Sequence, residues 1–111
     1  MSNENFQDCI DACNACALAC DECASACLGE QDVAMMARCI ALDMDCAQLC
    51  RLAAAYMARG SRFAQAVCRL CAEVCGACGE ECGRHAMEHC QRCAAACRRC
   101  AAACAAMVAA A

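Results

Sequence analysis

Cysteine and other apolar residues recur along this chain in alternating steps of three and four, with Ala, Asp, Glu and Arg between them. Residues three and four apart lie on the same face of an α-helix, so this rhythm predicts amphipathic helices. The rhythm is plainest in the first stretch, whose inward positions are Cys9, Cys13, Cys16, Cys20, Cys23 and Cys27. Because Leu or Ile usually occupies such positions, the pattern predicts a helix whose buried seam consists of thiols.

Turn and cap residues divide the chain into four helical stretches. Gly29 suits the position just past the end of the first helix, and Asp32 suits the N-cap of the second. Gly60 likewise suits the position just past the end of the second helix, and Ser61 suits the N-cap of the third. Cys90 is out of register by one residue with the cysteines before it, so a tight turn is expected between Gly83 and Glu88. The predicted helices span about 4–28, 32–59, 61–85 and 88–108.

These stretches predict an all-α protein. Helices of about 22 to 27 residues are roughly 33–40 Å long, and such short turns favour an antiparallel up-down-up-down four-helix bundle. A chain of 111 residues without Pro fits a single domain, residues 1–111. Since the four seams face one another in such a bundle, we expect a core lined by cysteine.

Charge and hydropathy limit the possible binding partners and the possible cellular compartment of this protein. The net charge is −4 at pH 7 and all nine basic residues are Arg, which argues against nucleic acid as a partner. No uncharged apolar run reaches the roughly 18 residues of a membrane span, so no membrane partner is expected. The N-terminal residues lack the basic and apolar regions of a signal peptide, which favours the cytoplasm, where thiols stay reduced. An odd number of cysteines, 19, also argues against a closed disulfide framework.

A core of thiols favours a soft, monovalent metal ion. Thiolate is the ligating form of cysteine, and a buried charge without a partner costs several kcal/mol. Four thiolates around one Zn²⁺ leave two negative charges at each site. One Cu⁺ per thiolate, with each sulfur bridging two ions, leaves the column neutral at any length, and thiolates select Cu(I). Charge therefore favours many Cu(I) ions, about one per cysteine.

Two other classes of function remain open at this point. One is a zinc- or iron–sulfur-binding module, which predicts about four or five metal ions per chain. The other is a thiol redox buffer or sensor, which predicts ready disulfide formation under mild oxidant and no tight metal binding. An enzyme is not expected, because the sequence shows no nucleophile–base pair near a recognisable pocket.

One end of the predicted bundle gathers further soft ligands. The first and third helices end there, and the second and fourth begin there. Thioether and imidazole groups bind copper, so we interpret this end as an entry port for metal ions. Its possible ligands are His85, His89, Met35, Met36 and Met87. Asp43 lies in the seam of the second helix, where it either bonds to neighbouring polar groups or serves as a minor oxygen ligand.

The run Cys13-x₂-Cys16-x₃-Cys20-x₂-Cys23-x₃-Cys27, the matching runs in the third and fourth helices, and the turn His85-Ala86-Met87-Glu88-His89-Cys90 resemble the bacterial copper storage proteins. The resemblance covers nearly the whole chain. It implies four-helix bundles whose inward cysteines hold many Cu(I) ions, assembled as homotetramers, and it is closest to the leaderless, cytosolic members. It also implies that His85 and the nearby Met residues line the open end. It names no protein that delivers or receives the copper. The implied Cu(I) ligands are Cys9, Cys13, Cys16, Cys20, Cys23, Cys27, Cys39, Cys46, Cys50, Cys68, Cys71, Cys75, Cys78, Cys82, Cys90, Cys93, Cys97, Cys100 and Cys104.

Overall fold

A computed structural model describes residues 3–109, and the side chains of residues 6–109. The described chain forms four α-helices and one short 3₁₀ turn, Val33–Met36. The helices are α1 (Asn3–Leu28), α2 (Ala37–Ala58), α3 (Ala64–Gly83) and α4 (Glu88–Ala109). Each helix packs against its two neighbours, α1 against α2 and α4, and α3 against α2 and α4. The prediction of an all-α, up-down-up-down bundle is confirmed.

The bundle is a rod whose interior is made of small side chains. Its principal extents are 46 × 18 × 18 Å. Cysteine and alanine make up nearly all of the buried surface, with Met36, Met57 and Met107 at the ends of the core. Larger aliphatic side chains such as Leu18 and Leu70 lie exposed on the outside. None of the helices in the described range is long and apolar enough to cross a membrane.

The connection between α1 and α2 differs from the sequence prediction. We expected α2 to begin near residue 32 with Asp32 as its cap, but α2 begins at Ala37 and Asp32 makes no side-chain capping bond. The 3₁₀ turn that occupies the intervening residues places the Met36 side chain in the core, 1% exposed. Burial of this large apolar side chain outweighs the gain of about 1 kcal/mol from a cap. Gly29 also differs, because its backbone does not adopt the positive φ of a C′ glycine.

The end of α2 follows the prediction closely. Gly60 has φ +65°, and its N–H donates to the carbonyl of Met57 while the Ser61 N–H donates to the carbonyl of Tyr56. These two bonds define a Schellman motif, which requires the left-handed conformation that glycine adopts most easily. The Ser61 hydroxyl accepts a hydrogen bond from the Phe63 N–H at 3.1 Å. That turn delays the start of α3 to Ala64, three residues later than expected.

A side chain of α4 stabilises the turn between α3 and α4. Gln91 donates its amide hydrogens to the carbonyls of Gly83, at 3.2 Å, and His85, at 2.7 Å. These bonds satisfy the carbonyl of the last residue of α3 and one carbonyl in the turn after it. α3 ends at Gly83, two residues earlier than expected, and α4 begins at Glu88 as expected.

Two glycines of α3 form a matched pair for testing how closely α3 and α4 pack. A methyl group added at Gly76 meets no atom within 4 Å, whereas one added at Gly79 lies 3.2 Å from the Cβ atom of Cys97. We expect Gly76→Ala to raise the free energy of unfolding by about 0.5–1 kcal/mol, because alanine is the better helix former. Gly79→Ala should give no such gain, because the added methyl group pushes the two helices apart. Urea denaturation of the reduced protein measures both values, and equal gains would contradict the close contact.

Candidate metal centre

All nineteen cysteines lie inside the bundle as free thiols. Cys9 is 1% exposed and every other cysteine side chain is fully buried. The period of three and four places each helix's thiols on the face that packs inward, so α1 contributes six, α2 three, and α3 and α4 five each. The seams predicted from the sequence therefore meet along the bundle axis.

The thiols form one continuous column through most of the bundle. Successive Sγ atoms lie 3.6–3.9 Å apart along the path Cys9, Cys104, Cys13, Cys100, Cys50, Cys46, Cys16, Cys97, Cys20 and Cys93. The path changes helix at nearly every step. Short steps between helices allow a bound ion to be shared between thiols of different helices.

Individual sulfurs belong to more than one potential site. Within residues 3–109, several sets of four thiols have Sγ atoms that all lie within 4.8 Å of one another. Cys16 and Cys46 occur together in two such sets, and Cys20 and Cys97 also occur in two. Shared sulfurs suit bridging thiolates between neighbouring ions. Separate tetrahedral Zn²⁺ sites would need four ligands of their own.

Burial keeps the outermost thiols protonated. Removal from water raises the pKa of Cys90 to about 12, and it also raises the pKa of Cys27. An isolated thiolate is unfavourable in this environment because burial disfavours the charged form. A monovalent cation that replaces the thiol proton leaves the net charge of the site unchanged. The environment therefore favours the exchange of one proton for one Cu⁺.

Asp43 is a fully buried carboxyl group in the middle of the thiols. Its Oδ1 atom accepts hydrogen bonds from the thiols of Cys78 at 3.2 Å, Cys82 at 3.3 Å and Cys93 at 3.2 Å. Burial, the largest cause, raises the pKa of Asp43 to about 7. Asp43 thus bonds to neighbouring polar groups, one of the two roles considered from the sequence; its role as a minor metal ligand stays a prediction.

The two histidines of the predicted port have different surroundings. The Nδ1 atom of His89 lies 3.5 Å from the Sγ atom of Cys90, 3.6 Å from that of Cys23 and 3.9 Å from that of Cys27. The Nε2 atom of His85 instead lies 2.9 Å from a carboxylate oxygen of Glu81. The structure therefore brings His89, and not His85, against core thiols.

The methionines at this end are also not equivalent. Met36 is buried in the core, Met87 is half-buried against it, and Met35 is 66% exposed. Sequence reasoning missed two residues here, the carboxylates of Glu30 and Glu81 that hold the histidines. Glu81 precedes His85 by four residues on one helix, a spacing that could have revealed the pair. No local signal marks Glu30, because its partner His89 lies 59 residues away.

The fold and the shared thiols define a multinuclear metal-binding four-helix bundle. The family model described as copper storage protein matches residues 2–109. This chain belongs to the copper storage protein family, which confirms the resemblance seen in the sequence.

Solved structures of related proteins agree with this assignment. The chain is 44% identical to copper storage protein 3 from Bacillus subtilis, solved without metal, with a TM-score of 0.86 over 92% of this chain and 97% of that one. It is 44% identical to the Cu(I)-bound copper storage protein BsCsp3, with a TM-score of 0.90 over 94% and 98%. It is 46% identical to a cytosolic copper storage protein from Streptomyces lividans holding five coppers, with a TM-score of 0.93 over 96% and 93%. No curated protein sequence matches the chain.

Proposed function

We propose that this protein stores Cu(I), holding many ions on its core thiolates, about one ion per cysteine. The observation that carries this proposal is the continuous column of buried thiols with shared sulfurs. Thiolate ligands select Cu(I), and a bridging thiolate can serve two ions. A Cu(I)-bound relative of the same fold supports the choice of metal. Storage requires no catalytic group, so the role is non-enzymatic.

The charge balance supports storage of a monovalent ion over storage of Zn²⁺. Each Cu⁺ that enters displaces one thiol proton, so the core stays neutral however many ions are bound. Zn²⁺ held by four thiolates would add two negative charges at every site to a buried core. Transfer between neighbouring sites needs only a movement of a few ångströms, because successive sulfurs on the column lie 3.6–3.9 Å apart.

Copper enters, in this proposal, at the end that carries the histidines. There His89 contacts three thiols directly, and the exposed Met35 offers a thioether to ions arriving from solvent. At the opposite end Met57 and Met107 are buried and close the core. His85 and Met87 lie at the same end as His89 and complete the set of possible entry ligands.

An anaerobic titration tests the function. Reduced protein is titrated with Cu(I) in competition with a chromogenic chelator of known affinity, and the tightly held ions are counted. We expect a count near nineteen per chain, because each cysteine supplies one negative charge. A plateau at about four or five would indicate separate four-thiolate sites and contradict the proposal, as would a failure to compete with the chelator.

The cytoplasm and a homotetrameric assembly are parts of the same proposal. A relative is described as cytosolic, and free thiols persist in that compartment. Exposed aliphatic side chains such as Leu18, Leu52 and Leu70 offer apolar surface for contacts between copies. Light scattering on the eluting protein should give about four times the chain mass of 11.6 kDa. A mass near that of one chain would contradict the assembly.

A further inference from the structure

The ring of His89 lies between three core thiols and a carboxylate from another part of the chain. Its Nδ1 atom faces the thiols of Cys23, Cys27 and Cys90, at 3.6, 3.9 and 3.5 Å. Its Nε2 atom lies 2.9 Å from the Oε1 atom of Glu30. The side chains are 15% exposed for His89 and 31% exposed for Glu30, so water screens this hydrogen bond only in part.

The hydrogen bond to Glu30 determines which nitrogen of His89 carries the proton. An ionised carboxylate can only accept a hydrogen bond, so the Nε2–H group donates to it. In the neutral ring the Nδ1 atom then has no proton and presents its lone pair to the thiols. Imidazole binds metal through such a nitrogen, and a partner on the other nitrogen fixes the tautomer and the ring orientation.

The distances fit a shared metal ion. Metal–sulfur and metal–nitrogen bonds of about 2.0–2.3 Å, as in zinc sites, place two ligands of one ion roughly 3.5–4 Å apart. The three distances from Nδ1 to sulfur lie in that range. Cys23, Cys27 and Cys90 also belong, with Cys39, to one set of mutually close thiols. We call this set of four the outer thiol group.

We propose that Glu30 is a positioning residue that holds His89 with its Nδ1 atom as a ligand of the outer thiol group. This inference rests on the proposed storage of Cu(I). Glu30 lies in the connection between α1 and α2, and its N–H donates to the carbonyl of Cys27 at 3.1 Å. Its backbone is therefore anchored next to one thiol of the group, while its side chain holds the ring that faces three of them.

The second histidine provides a matched control. The Nε2 atom of His85 lies 2.9 Å from the Oε2 atom of Glu81, the same separation as in the His89–Glu30 pair. The His85 side chain makes no hydrogen bond to a cysteine in the region whose side chains are described. Loss of Glu81 therefore removes a carboxylate–histidine pair of the same length at the same end of the bundle, without disturbing a ring that faces thiols. It also removes a hydrogen bond from Arg84 at 3.3 Å, so the control is the more disruptive of the two changes.

The test uses protein with ¹⁵N-labelled histidine and observes both rings by NMR. In reduced protein without copper, we expect His89 to be protonated on Nε2 and not on Nδ1. Titration with Cu(I) in a chelator buffer that sets the free ion concentration should then shift the Nδ1 resonance. We call the free Cu(I) concentration at which half of this shift has occurred the half-shift concentration. For Glu30→Ala we expect this concentration to be about 10- to 100-fold higher than in the wild-type protein, the usual effect of losing such a partner.

Three variants separate positioning from a general effect on structure. Glu81→Ala should leave the half-shift concentration of the His89 Nδ1 resonance at its wild-type value. Glu30→Gln, which keeps an acceptor oxygen, should recover part of the wild-type behaviour. In His89→Ala, adding Glu30→Ala should change neither the Cu(I) count nor the rate at which a chelator withdraws copper. Unfolding by urea should show that all variants remain folded.

Particular outcomes would overturn the inference. The assigned role would be contradicted if the Nδ1 atom of His89 carries a proton in the wild-type protein. It would also be contradicted if Glu30→Ala has the same half-shift concentration as the wild-type protein. An equal loss in Glu81→Ala would show that the effect is not specific to His89. If the total count stays near nineteen in these cases, storage stands and only the role of Glu30 falls. A wild-type count of about four or five overturns the storage proposal itself.

Discussion

Loading the reduced protein with Cu(I) is expected to raise the midpoint of thermal unfolding by about 30 °C or more. A ligand that binds only the folded state at 100 times its dissociation constant stabilises that state by about 2.7 kcal/mol per site. Three core ions at that excess contribute about 8 kcal/mol, and for a domain of this size 1 kcal/mol corresponds to about 4 °C. The nineteen buried thiols offer room for several times that number of ions.

The protein without copper has a weak core, so the bound ions supply a large share of the stability of the loaded protein. Its interior consists mainly of cysteine and alanine, and several of its larger aliphatic side chains lie outside. Thiols of the unfolded chain also bind Cu(I), which reduces the gain. The folded chain keeps an advantage, because four Sγ atoms already lie within 4.8 Å of one another in each set. An unfolded chain must pay the entropy of bringing such thiols together.

Circular dichroism at 222 nm, followed during heating without oxygen, measures the midpoint with and without copper. Addition of a strong Cu(I) chelator to the loaded protein should return the midpoint to that of the protein without copper. A rise of less than about 5 °C at full loading would correspond to only about 1 kcal/mol. That result would contradict binding of the ions inside the folded core.

The second large effect is a loss of stability as pH rises through the range in which Asp43 ionises. The pKa of Asp43 is raised from 3.8 to about 7, chiefly because its carboxyl group is buried. Between these two values the folded state holds a proton that the unfolded state has lost, so the free energy of unfolding falls as pH rises. The contribution of Asp43 to the free energy of unfolding is fully present below pH 3.8. It is lost as pH rises through about 7.

From pH 5 to pH 7.5 this contribution falls by roughly 2–3 kcal/mol. Asp43→Asn cannot ionise and keeps an oxygen that accepts hydrogen bonds from the thiols. The variant should therefore lose less stability over the same range, and the difference between the two proteins isolates the effect of Asp43 from that of other titrating groups. Urea denaturation of the reduced proteins without copper, at both pH values, measures it. Parallel pH dependences in the two proteins would contradict a buried carboxyl group with a raised pKa.

Several features of the fold followed directly from the sequence. The alternating steps of three and four identified the buried face of every helix, and every cysteine on those faces is buried. Gly60 marked the end of α2, because its two hydrogen bonds require a left-handed residue. The end of α1 and the start of α4 were predicted at Leu28 and Glu88, where the structure has them. These are local properties, set by helix periodicity and by backbone geometry at single residues.

Where a predicted helix start was wrong, another interaction overrode the expected cap. Asp32 is a good capping residue, but α2 begins five residues later because the 3₁₀ turn carries Met36 into the core. Ser61 suits an N-cap, but its hydroxyl bonds to the N–H of Phe63 and α3 begins only at Ala64. Tertiary packing decides the start of α2, because burial of the large Met36 side chain exceeds the energy of a cap. The start of α3 instead follows a local bond between residues two apart.

The sequence by itself determined that this protein is a four-helix bundle with thiols inside, and charge balance then favoured Cu(I). Only the tertiary structure decided which sulfurs are neighbours and that Asp43 bonds to thiols of α3 and α4. It also decided that His89 faces the outer thiol group while His85 bonds to Glu81. The physical reason is that periodicity specifies the face a residue occupies on its own helix. The offset between helices and the side-chain rotamers, which decide contacts across the bundle, depend on packing between residues far apart in the chain.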